Sequence, residues 1–119
     1  MKIGLFTDAH YDPITYPSRL ALAQNTSNIL SMEGIDAVFS LGDVFEDFTD
    51  FQEALTIIPA YEAVWEAVAD KSYWLCGNHD QQGITLDQYL SISKFAKKNF
   101  TVDIGNYRFI CYFNSNEIS

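Results

Sequence analysis

Three short apolar runs, each broken off by a turn-forming residue and separated by helix-compatible sequence, constrain this chain more than any other feature. The first is Lys2-Ile3-Gly4-Leu5-Phe6-Thr7, the second spans 37–41 and stops at Gly42, and the third spans 72–76 and stops at Gly77. Runs of this length suit buried strands. After the first, Pro13 and Pro17 hold a loop and helix is expected from about Ser18, with Leu20, Ala23, Ser27 and Leu30 on one face and Gly34 as the stop. After the second, Thr49 with Gln52 makes a capping-box pattern opening a helix through Ile57, and Pro59 is expected to break it, with a further helix from there to Ala69. After the third, Thr85 with Gln88 opens another helix, to about Lys97. Two runs, 101–104 and 107–113, flank Gly105-Asn106, the signature of a hairpin with a primed turn. The order βαβαβα followed by a β-hairpin predicts an α/β fold in which right-handed crossovers build a parallel sheet.

Chemistry in such sheets collects beyond the carboxyl ends of the strands. That rule selects residues 8–16, 42–48 and 77–84, and each loop carries a candidate ligand directly after its strand. Asp8 and His10 stand two apart, so in an extended segment both face one ion. Gly42 permits a sharp turn that brings the Asp43 carboxylate over the sheet edge. In Gly77-Asn78-His79-Asp80, Asn78 offers a neutral carbonyl oxygen and His79 an imidazole beside an acid. Taken singly, these residues read better as turn or helix caps or ordinary surface side chains. Glu46, Asp47 and Asp50 read as a solvated acidic stretch. Both histidines of the chain nevertheless lie just beyond strand ends, and three independent turn explanations would have to coincide.

The 119 residues suffice for one modest domain, and the 48% hydrophobic and 15% aromatic content is that of a folded chain. The formal charge is -9, from 16 acidic against 7 basic residues. The one lysine group, Lys94, Lys97 and Lys98, reads as a solvated helix face, so neither nucleic acid nor an anionic membrane is an expected partner. An acidic chain that handles phosphate needs a local source of positive charge, and metal ions are one. No Lys or Arg falls in the 8–16, 42–48 and 77–84 loops, and Arg19, at the start of the first helix, is the candidate to compensate Asp8 and Asp43. No apolar run approaches the roughly 20 residues that span a bilayer, and the stretch after Met1-Lys2 is too short for a signal, so a cytoplasmic protein is expected. Cys76 and Cys111 are expected to be buried free thiols.

The blocks Asp8-Ala9-His10, Gly42-Asp43-Val44-Phe45-Glu46 and Gly77-Asn78-His79-Asp80 resemble, in order and spacing, the first three blocks of the calcineurin-like metallophosphoesterases: D-x-H, G-D-x-x-D/E and G-N-H-D/E. The resemblance implies the N-terminal half of a four-layer αββα sandwich, and hydrolysis of phosphomonoesters or phosphodiesters by a hydroxide held between two divalent ions, with Mn, Fe or Zn suited to the ligands. It further implies that Asp8 and His10 bind the first ion, that Asp43 bridges both and that Asn78 binds the second. His79 would act on the phosphoryl group or leaving oxygen, and Asp80 would orient His79. Asp12-Pro13 after His10 is similar to the branch that includes the cyclic-nucleotide and nucleoside-diphosphate-linked phosphoesterases. The family completes its site with later histidines, including a G-H-x-H pair, whereas no histidine follows His79 here. The expectation is therefore a truncated phosphoesterase domain over 1–119, weak or inactive alone, able to self-associate through the exposed face of the half-sandwich. The alternative is a non-catalytic interaction module of the same fold. A phosphatase with a nucleophilic Asp-x-Asp is rejected, because His10 occupies the second Asp position.

Overall fold

In the computed structural model, which describes residues 1–112, the three apolar runs form a single parallel sheet of order β1-β2-β3. β1 is Ile3–Phe6, β2 is Ala37–Ser40 and β3 is Ser72–Trp74, each stopping one to two residues before the apolar run does. β2 is central and buried along its whole length, its register pairing Leu5 with Phe39 and Phe39 with Tyr73. α1 (Ser18–Met32) joins β1 to β2, burying Ala23 and Ser27 on the predicted face and ending before Gly34, whose φ of +65° turns the chain.

α2 departs from expectation at both ends. Its cap lies one residue later than Thr49: Asp50 accepts the Glu53 N–H at 2.9 Å, and Glu53 Oε1 accepts the Thr49 N–H at 3.2 Å. Pro59 does not break the helix, which runs through Phe51–Ala63. Proline removes one N–H and crowds the carbonyl one turn back. Here Pro59 and Leu55, four residues earlier, both lie on the exposed side, where water can satisfy that carbonyl. A 3-10 segment, Glu66–Lys71, then leads into β3 in place of the further α-helix expected there.

α3 (Leu86–Ile92) opens on the expected Thr85–Gln88 capping box but ends well short of Lys97. The chain beyond it is drawn elsewhere. Buried Glu62 accepts the Ser93 hydroxyl at 2.5 Å and the Lys94 N–H at 2.7 Å. The following residues pair in parallel with Trp74 through Ala96, adding a short rung at the β3 edge. Lys94, Lys97 and Lys98 are exposed as expected, but on this extended segment and not on a helix.

β4 (Phe100–Ile104) and β5 (Tyr107–Cys111) form the hairpin, and Gly105 alone takes a positive φ at the turn, the Gly-X kind of primed turn. Phe113 lies outside the described residues. Phe39 packs on Phe109 at 5.1 Å, while Leu5, Leu41, Ile110 and Tyr112 stay exposed around a cavity of about 560 Å³ between sheet and hairpin. The main core lies around Tyr61, Trp65, Trp74 and Tyr89. Both cysteines are free; Cys76 is buried, which pushes its thiol up to about 12, and Cys111 is half-buried. No helix among the described residues is long and apolar enough to cross a membrane.

Candidate metal centre

The first two loops do not diverge after their strands. Asp8 N–H donates to Gly42 O at 3.0 Å, His10 N–H to Asp43 O at 3.0 Å, and Tyr11 N–H to Val44 O at 2.8 Å, so the β1–β2 pairing continues into a Tyr11–Phe45 bridge. Val44 and Phe45 are wholly buried, Phe45 against Tyr61 at 5.3 Å. The apolar pair inside Gly42-Asp43-Val44-Phe45-Glu46 thus anchors the loop in the core and leaves the flanking Asp43 and Glu46 at its rim.

Asp8, His10 and Asp43 have φ of +55°, +47° and +53°, the only non-glycine residues with positive φ among those described. Left-handed backbone costs an L-residue about 1–2 kcal/mol, and such strain gathers at functional sites. It also corrects the geometric argument made from sequence. Asp8 and His10 do not share a face by extended alternation; two left-handed turns bring His10 Nε2 to 3.3 Å from Asp8 Oδ1.

The third loop packs against the second with no space for a side chain. A Cβ on Gly77 would lie 2.0 Å from Asp43 Oδ1, and one on Gly42 would lie 2.7 Å from Gly77 N. Asp43 Oδ1 in turn accepts the His79 N–H at 2.9 Å, at the start of the 3-10 turn His79–Gln81.

Asp80 occupies a different position from the one the resemblance implied. Its carboxylate is fully buried and accepts the N–H of Phe45 at 3.0 Å and that of Gly77 at 2.9 Å, fastening the second loop to the third. Burial pushes its pKa up to about 7, Asp43's charge adds to the rise, and the two N–H donors oppose it. The carboxylate bonded to the His79 ring is instead Asp47, with Oδ1 2.7 Å from Nδ1. That bond is the main cause holding the His79 pKa above the ordinary imidazole value.

Glu46, read from sequence as solvated, likewise bonds His10 Nδ1. A sequence signal for it existed, since Glu46 fills the D/E position of the second block. For Asp47 no block position applied, and only the fold shows it within reach of His79. Asp8 is held below the usual carboxylate range, chiefly by the Thr7 hydroxyl and then by His10.

Asp8, His10, Asp43, Asn78 and His79 therefore meet in one place. The His10 and His79 rings lie 4.8 Å apart, edge to face. Two triplets, Asp8/His10/Asp43 and His10/Glu46/His79, each offer ligand atoms within 4.8 Å of one another, and they share His10. The amide end of Asn78 lies 3.1 and 3.2 Å from the two Asp43 carboxylate oxygens. As NH₂ it donates to them; rotated, its oxygen joins theirs to make an all-oxygen pocket that only a cation would neutralise. Carboxylate oxygens, imidazole nitrogens and an amide oxygen so grouped fit a divalent metal ion.

A family model described as calcineurin-like phosphoesterase matches residues 1–118. No curated protein matches the chain. Among solved structures the chain is similar to a dimetal phosphatase from Danio rerio, at 19% identity and a TM-score of 0.64, over 75% of this chain and 32% of that one. At that identity the likeness shows the fold, and the chain spans about a third of that phosphatase's length.

Proposed function

The chain belongs to the calcineurin-like phosphoesterase family, and on that premise we propose that it hydrolyses phosphomonoesters or phosphodiesters with two divalent ions. The observation that carries the reading is the Asp8/His10/Asp43 ligand triplet with the Asn78 amide 3.1 Å from the Asp43 carboxylate. Asp8, His10, Asp43 and Asn78 would hold the ions. Residues 1–119 would then form part of one phosphoesterase domain.

When bound, the ions supply Lewis acidity and positive charge, which lower the pKa of a water nucleophile and offset the phosphoryl charge. The protein's own groups set the geometry. Glu46 fixes the His10 ring through Nδ1, leaving Nε2 toward Asp8, an orienting arrangement typical of metal-bound histidines. Asp47 does the same for His79 and favours its protonated form, so His79 is suited to give a proton to the leaving oxygen. Asp80 keeps the second and third loops in register.

Two cavities flank these groups. One of about 360 Å³ is lined by Thr7, Asp8, Asp43 and Asn78, and one of about 440 Å³ by Asp12, Asp47, Thr49 and Glu53. The first suits the phosphoryl group and the second, on the Asp47 side, the leaving alcohol.

Hydrolysis of bis(p-nitrophenyl) phosphate and p-nitrophenyl phosphate in Mn tests the proposal. The expected result is metal-dependent turnover, slower than about 1 per second with this partial ligand set and abolished in Asp43→Asn. Turnover that survives EDTA or Asp43→Asn contradicts it. Metal binding without any turnover would favour the non-catalytic module.

A further inference from the structure

His10 belongs to both candidate triplets, and its backbone sits at a φ of +47°, uncommon for a residue other than glycine. Its peptide hydrogen bonds hold it there. The φ and ψ of His10 are set by two peptide planes, Ala9–His10 before it and His10–Tyr11 after it. On the N–H side both planes are tied to the second loop: His10 N–H donates to Asp43 O at 3.0 Å, and Tyr11 N–H to Val44 O at 2.8 Å. On the carbonyl side both planes are tied to a single atom. Arg19 Nη1 donates to His10 O at 2.8 Å and to Ala9 O at 3.3 Å.

The guanidinium is itself held. Arg19 lies in the first turn of α1, its backbone N–H donates to Tyr16 O at 3.1 Å, and its Cζ stacks 3.6 Å from the Tyr16 ring centroid. A stacked, planar guanidinium keeps its N–H vectors fixed, which a flexible ammonium does not. Among the described residues Arg19 makes no ion pair. Arg19 therefore does not pair with Asp8 or Asp43, the role its place after the first loop suggested; its Nη1 donates to two carbonyls instead.

We infer that Arg19 is the positioning residue of this centre: it closes the carbonyl side of a frame around His10 and fixes the left-handed backbone that aims the imidazole. It touches no reacting atom and acts only through His10. The inference rests on the reading of His10 as a metal ligand for its consequence, but the frame itself exists without metal and is tested without it.

The test is amide hydrogen exchange on the metal-free chain, wild type against Arg19→Met. In Arg19→Met the His10 and Tyr11 amides should exchange about tenfold faster or more, while Val38 and Phe39 in β2 keep their protection, because the opening is local. Protection of His10 and Tyr11 unchanged within about twofold, against that same scale of local opening, overturns the inference. Should Arg19→Met fail to fold, Arg19→Lys carries the test: its ammonium reaches the carbonyls without the Tyr16 stack, so a smaller but definite acceleration is expected, and none overturns the inference. A second arm reads the rise in melting temperature caused by Mn, which should fall in the order wild type, Arg19→Lys, Arg19→Met. A purely structural role would lower the metal-free melts and leave that rise unchanged, contradicting the inference. No rise in the wild type would instead contradict the metal reading, leaving the exchange result to decide the frame.

Discussion

His79 Nδ1 lies 2.7 Å from Asp47 Oδ1, a contact between the third loop and a residue four positions after Asp43 in the second. If the bond fixes the ring and its proton, Asp47→Asn should lower kcat by about 10- to 100-fold, the usual cost of losing an orienting carboxylate. KM and the response to Mn should change little, because neither Asp47 nor the His79 it orients is among the proposed ligands Asp8, His10, Asp43 and Asn78. Steady-state kinetics on the nitrophenyl esters measures this, and an unaltered kcat would show that Asp47 is a bystander.

Gly77 admits no side chain, since a Cβ there would lie 2.0 Å from Asp43 Oδ1 and 2.3 Å from Asp43 N. The obstacles are a backbone atom and a carboxylate that is already bonded to His79 N–H, so neither yields easily. Gly77→Ala should destabilise the fold by about 2–3 kcal/mol, toward the upper part of the overpacking range, and should reduce the response to Mn by displacing Asp43. Urea unfolding with and without metal reads both effects. Wild-type stability in Gly77→Ala would mean that the two loops separate more readily than the packing indicates.

The α/β order, the three loops and the five converging residues were legible in the sequence because each depends on local signals: apolar runs, glycines at strand ends and capping boxes. What was not legible depends on contacts made across the chain. The left-handed backbone at Asp8 and His10 needs the second loop and Arg19 to hold it. Asp80 looked like the partner of His79 because it is adjacent, but its carboxylate reaches the N–H groups of Phe45 and Gly77, and Asp47 takes the ring. Pro59 stays helical only because its side of α2 faces solvent, and α3 stops early because Glu62 captures Ser93 and Lys94. Apart from Gly77, three residues before Asp80, these partners lie more than one helical turn away in sequence.

Glu62 also gives the fold a pH dependence away from the metal centre. Burial is the largest cause raising its pKa above the ordinary carboxylate value, partly offset by the Lys94 N–H and the Ser93 hydroxyl. A carboxyl with a raised folded pKa binds its proton more tightly in the native state. Its contribution is therefore fully present below the unfolded value and is lost as pH rises through the folded one. Melting temperatures from pH 4.5 to 7 should fall more in wild type than in Glu62→Gln, which stays neutral and can still accept the Lys94 N–H. A wild type that gains on Glu62→Gln as pH rises would mean the hydrogen bonds outweigh the burial.

The central claim is that Asp8, His10, Asp43 and Asn78 form a divalent-metal site. Asp8 and Asp43 bring two carboxylates together with no Lys or Arg paired to either among the described residues. Binding an ion selectively to the folded state must stabilise it by mass action. The most direct measurement is a thermal melt of wild type and Asp43→Asn in EDTA and in millimolar Mn, on protein confirmed folded and monomeric. The account predicts that Mn raises the wild-type melt by several degrees, a shift on the order of 1–2 kcal/mol, and raises Asp43→Asn less. A wild-type melt identical in EDTA and Mn would contradict it.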